Sequence, residues 1–171
     1  MRLDAMLDRC LLLERRAAGL YRRFAEASVR HEDLCGVWRR LASEEDEHAA
    51  SLAVARATVD PAVGAESRVE GWNELIAAAE RVLEQGEDVP APSLDDQLVL
   101  ALDLERTEID VLRRVLLDLA GQAVDTGAAT SRHALELAAL ASKHSDDARV
   151  QMREALIRAH EQLGVPPLDP A

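Results

Sequence analysis

The stretch EEDEHAASL, residues 44–52, puts four acids and a histidine in five consecutive positions before the chain turns apolar. A run of charge is ordinarily the solvated face of a helix. Spacing divides this one. Leu34, Trp38, Leu41, Glu45, His48, Leu52 and Ala55 follow one another at steps of four and three, the signature of one helical face. Glu45 and His48 therefore belong to an apolar stripe and are predicted to point inward. Glu44, Asp46 and Glu47 fall off the stripe and are predicted to face water.

The same rhythm recurs along the chain. A first stripe reads Leu7, Cys10, Glu14, Ala17, Tyr21, Phe24, Ser28. A third reads Leu98, Ala101, Glu105, Glu108, Leu112, Val115, Leu119, and a fourth Ala134, Leu137, Ala141, His144, Ala148, Met152, Ala155. These stripes predict helices over 3–29, 32–57, 94–120 and 128–162, with no strand in any of them. Between the two pairs lies a long connection, 58–92, punctuated by DPAVG (60–64), GED (86–88) and PAP (90–92). Inside it a Ser67–Glu70 capping-box pair precedes Trp72, Leu75, Ile76, Ala79, Val82 and Leu83 at helical spacing, so one further helix is expected over 68–85. Ser93 is a natural N-cap for the second half, and Gly164 with Pro166-Pro167 a natural stop. The first and third segments also repeat: LERRAAGLYRR (13–23) aligns with LERTEIDVLRR (104–114), pairing Glu14 with Glu105.

Composition agrees with packed helices. Of the 171 residues, 48% are hydrophobic, but Phe24, Tyr21, Trp38 and Trp72 are the only aromatics, and the apolar mass is Ala, Leu and Val. The length suits a single domain, 1–171. A formal charge of −12 argues against a nucleic-acid partner, because phosphate binding needs clustered Lys and Arg. No apolar run is long enough to span a membrane. The charged N-terminus, MRLDAMLDRCLLLERR, is unlike a secretory signal, and Cys10 and Cys35 form no disulfide framework. Both points set the expectation of a cytoplasmic protein with two reduced core thiols.

Antiparallel neighbours meet where they are equally far from their turn. Glu14 and the Glu45/His48 pair are equidistant from Arg30–His31, and the Glu105/Glu108 and Ala141/His144 pairs from about Val124. The inward polar residues of each hairpin are thus expected at one level. Buried carboxylates need a proton, a counter-charge or a metal. With no Arg or Lys on these stretches of stripe, carboxylate and imidazole together point to a transition-metal centre. Protonated glutamates hydrogen-bonded to the histidines are the metal-free alternative. His31, His133 and His160 lie off the shared level and read as surface or helix-end residues.

On these residues the chain resembles the ferritin-like superfamily, and within it the bundle domain of the rubrerythrin family. That arrangement takes one Glu from each of two helices and a Glu-x-x-His from each of the other two. Glu14 and Glu105 match the single glutamates, Glu45-x-x-His48 the first paired motif, and His144 the histidine of the second. Glu108 matches an additional glutamate three residues after the first on helix three. Tyr21 matches a tyrosine beside the metal site. The resemblance implies an all-α, antiparallel four-helix bundle whose long crossover carries an extra helix. It also implies two bound iron ions, with manganese or zinc as other candidates, and an oxidoreductase acting on peroxide or oxygen.

Two departures shape that expectation. Ala141 stands where the second motif carries its glutamate, and Glu108 is placed to extend into the space it leaves; the rival outcome is a weakened second metal position. The C-x-x-C pairs of a rubredoxin-like domain are absent, which implies an external electron-donor protein. A homodimer lies within the same expectation. Non-catalytic metal binding or iron handling, and a metal-free bundle working through protein partners, are the alternatives.

Overall fold

An apolar helix face needs a partner to bury it against. The computed structural model describes residues 2–59, 72–107, 109–121 and 129–163, with the side chains of 109–111, 129–133 and 159–163 outside that description. The described residues form seven helices and no strand: α1 (Leu3–Ala27), α2 (Glu32–Thr58), α3 (Trp72–Asp88), α4 (Leu94–Glu105), α5 (Ile109–Leu119), α6 (Ala129–His144) and α7 (Ala148–Leu163). The protein is all-α. The Ser67–Glu70 pair, Glu108 and Gly164 lie outside the described residues.

The two longest of the described helices, α1 and α2, pack against each other as a hairpin. Its two stripes bury Leu7, Cys10, Glu14, Ala17, Tyr21 and Phe24 against Leu34, Trp38, Leu41, Glu45, Leu52 and Ala55. Three aromatics pack within it. Tyr21 stacks on Trp38 with ring centroids 5.9 Å apart and planes 7° from parallel, and Phe24 meets Trp38 edge-on at 5.5 Å. All three are fully buried.

Helix α3 lies on α1, α4 and α5. Arg9 and Arg16 on α1 reach Glu80 and Glu87 on α3 at 2.6 and 2.8 Å. The helix runs through Gly86 rather than stopping before it, because this glycine serves close packing: a Cβ there would come 2.8 Å from Leu20 Cδ1. Ser93 caps α4 as expected, in a reciprocal capping box with Asp96. Buried Ser28, at the end of α1, donates to Gln97 Oε1 at 2.7 Å and ties the first hairpin to α4.

The third and fourth predicted helices are each broken in two. Thr107 turns its hydroxyl onto the carbonyl of Leu104 at 2.6 Å and its backbone N–H onto the same oxygen at 2.9 Å, closing α4. Ser145 donates its hydroxyl to Asp95 and accepts from Asp147 N at 3.1 Å, while Asp147 accepts from Arg149 N at 2.7 Å as the cap of α7. Side chains that bond their own backbone compete with the helix, and here they win. Each break re-phases the helix after it. Among the described side chains of α5, Leu112, Leu116 and Leu117 are buried, while Leu119 is exposed. In α7 Val150 and Ile157 are buried, whereas Met152 of the predicted stripe is exposed.

Candidate metal centre

Midway along the α1–α2 hairpin, Glu14, Glu45 and His48 offer ligand atoms that all lie within 4.8 Å of one another. This is the level that equal distance from the turn requires. Glu14 comes from α1, and Glu45 and His48 from successive turns of α2 on one face. Of the neighbouring acids expected in water, Asp46 and Glu47 are exposed, whereas Glu44 is half-buried and pairs with Arg40 at 3.1 Å.

Glu14 and Glu45 are buried and His48 is half-buried. Glu14 has no accessible surface, and neither of its carboxylate oxygens has a hydrogen-bond partner among the described residues. His48 Nδ1 lies 3.0 Å from Glu45 Oε2 and 3.8 Å from Glu14 Oε2. Burial by itself would push the His48 imidazolium down, but the Glu14 and Glu45 carboxylates outweigh it and raise its pKa to about 10. Burial also pushes the Glu45 carboxyl well above its usual range; His48 opposes that shift and Glu14 adds to it. Protons thus sit where a cation would sit. Cys10, one turn before Glu14, is buried, and burial reinforced by the Glu14 charge pushes its thiol up to about 12. It is an inert core thiol.

Glu105, the last residue of α4, accepts a hydrogen bond from the Tyr21 hydroxyl at 3.3 Å. Tyr21 therefore links the aromatic trio to a second carboxylate, though Glu105 is not among the converging ligands. Glu108 lies outside the described residues, and the helix that was to carry it one turn from Glu105 ends at Glu105. Ala141 is fully buried in the core.

His144 is not brought to the cluster. As the last residue of α6 it sits against the first turn of α2, where its Nε2 lies 2.8 Å from Asp33 Oδ2, an oxygen that Lys143 also reaches. These two bonds hold the Asp33 carboxyl far below the usual range. His31 is exposed beside it, with the two rings 6.1 Å apart, and the side chains of His133 and His160 lie outside the described residues.

The reading of stripes missed Arg113. Its Nε lies 4.0 Å from Glu14 Oε1, with only 15% of its side chain exposed, so the cluster does have a basic neighbour. On an uninterrupted helix this residue falls outside the stripe; the break at Thr107 turns it inward. Thr107, a residue prone to bonding its own backbone, is the local signal that could have revealed it.

Among the described residues no second set of three acidic, histidine or cysteine side chains converges in this way. No helix among them is long and apolar enough to cross a membrane. No family model, curated protein or solved structure matches the chain.

Proposed function

We propose that the chain is a carboxylate–histidine metal protein of ferritin-like, rubrerythrin-like build. Glu14, Glu45 and His48 bind a divalent transition metal, iron first and manganese or zinc as substitutes. The architecture we propose has α1, α2, the α4–α5 run and the α6–α7 run as four antiparallel limbs, with α3 in the crossover. One observation carries the reading: a carboxylate with both oxygens buried and without a hydrogen bond among the described residues stands against a second carboxylate and an imidazole. A buried carboxylate left in that state is costly, and a cation at the shared point removes the cost. Two oxygen donors and one nitrogen donor suit iron, manganese or zinc.

Each residue has a distinct task. Glu14 and Glu45 supply the negative charge. His48 supplies a neutral nitrogen once the proton at Nδ1 is displaced, so metal uptake releases protons. The His48 side chain is 16% exposed, whereas Glu14 is fully enclosed. Bound iron would supply one-electron chemistry toward peroxide or oxygen. Reduction of hydrogen peroxide to two waters consumes two electrons and two protons, which an external donor protein and solvent must provide.

Arg113 and protonated His48 also neutralise Glu14 without metal, which favours a metal-free core as the second reading. Elemental analysis of protein purified without chelators separates the two. Bound iron or manganese, together with peroxide consumption only when an electron donor is added, is the expected result. Metal without turnover reduces the proposal to metal handling. A fully folded protein that takes up no added metal refutes it.

A further inference from the structure

Glu14 faces a different cation with each oxygen. Oε2 looks toward His48 Nδ1 at 3.8 Å, in the pocket it shares with Glu45. Oε1 lies 4.0 Å from Arg113 Nε. A carboxylate that bridges two metal ions offers one oxygen to each. Here the second oxygen already has a cation beside it, and that cation is permanent, since a guanidinium does not lose its proton in a protein.

The internal repeat marks this as a feature of one half only. Arg22 occupies the position in α1 that Arg113 occupies in the aligned segment, and its side chain is 52% exposed and paired with Asp46. Arg113 is turned inward by the interruption at Thr107. Charge points the same way. Glu14 and Glu45 together neutralise one divalent ion, and a second ion would stand against the guanidinium.

Building on the metal-binding reading above, we propose that Arg113 takes the place of a second metal ion, so that the centre holds one ion per chain rather than two. The chain carries its own substitute for half of a two-metal centre.

The test is anaerobic titration of the chelator-stripped full chain with Fe(II) and, separately, with Co(II). Bound ions are counted by elemental analysis, and circular dichroism checks the fold of each variant. Wild type and Arg113→Lys are expected to bind one ion with similar affinity, because both keep the charge. Arg113→Gln removes the charge and should bind its first ion on the order of tenfold tighter. Should Arg113→Gln fail to fold, Arg113→Met, which keeps the apolar stem, goes through the same titration with the same expectation. Two ions per wild-type chain would overturn the Arg113 proposal and leave the metal reading intact. Affinity unchanged by removing the charge would also overturn it. No binding in wild type or any variant would remove both.

Discussion

Glu45 and Glu47 sit two positions apart in one run of acids, yet one is buried beside Glu14 and the other is in water. The difference is rotation about the helix axis, about 200° for two residues. Glu45→Ala should therefore lower bound metal, whereas Glu47→Ala should leave it unchanged, as read by metal analysis of the purified variants. Equal losses from both would show that bulk negative charge, not the inward ligand, attracts the ion. That both fates could be read from spacing reflects how local the information is: a side chain's direction on a regular helix depends only on its position. Arg113 was not legible for the same reason. Its direction is set by a break upstream, which a regular stripe does not contain.

At the scale of elements, short polar contacts decide where helices stop and how they are joined. Ser28 and Gln97 are both buried, and their hydrogen bond connects the first hairpin to α4. Replacing Ser28 with Ala leaves the Gln97 oxygen buried and unpaired, a loss of about 1–3 kcal/mol. Chemical denaturation should show this as a lower midpoint at unchanged slope. Ser93→Ala removes one side of the capping box and should cost about 1 kcal/mol, the usual value of an N-cap hydroxyl. If α4 is held by packing alone, that second variant will unfold with the wild type. The cap at Ser93 was visible in the sequence because it comes just after a proline-rich break. Asp147 caps α7 by the same chemistry, but it lies within an apolar rhythm that reads as continuous helix.

For the molecule as a whole, the cluster links stability to pH. His48 has a pKa of about 10 in the folded protein, raised from its ordinary value of 6.5. Its contribution in the metal-free protein is fully present below about pH 6.5 and is lost as pH rises through about 10. Glu45 acts in the same direction: its carboxyl is raised, so ionising it in place weakens the fold as pH climbs. Metal-free protein should therefore lose thermal stability between about pH 6.5 and 10, and His48→Gln should flatten that slope. Metal-loaded protein should show the opposite trend relative to the metal-free form, because deprotonated ligands bind better as pH rises. Melting curves of both forms across that range check the sign. A metal-free protein that is equally stable throughout would mean that the three groups do not interact as their distances imply.

The sequence by itself determined the all-α class, the faces of α1 and α2, and the meeting of Glu14 with Glu45 and His48. These come from helical periodicity and from a short turn that fixes the hairpin's register, and both are local. Only the tertiary structure decided that α4 and α5 are separate helices, that Arg113 points at Glu14, and that His144 pairs with Asp33 instead of joining the cluster. At Thr107 the hydroxyl turns onto the carbonyl of Leu104 in its own turn, whereas Ser145 bonds Asp95 and His144 bonds Asp33, residues far away in the sequence. A hydroxyl can continue a helix or break it, and a periodic stripe of apolar residues records neither that choice nor the distant partners that folding brings alongside.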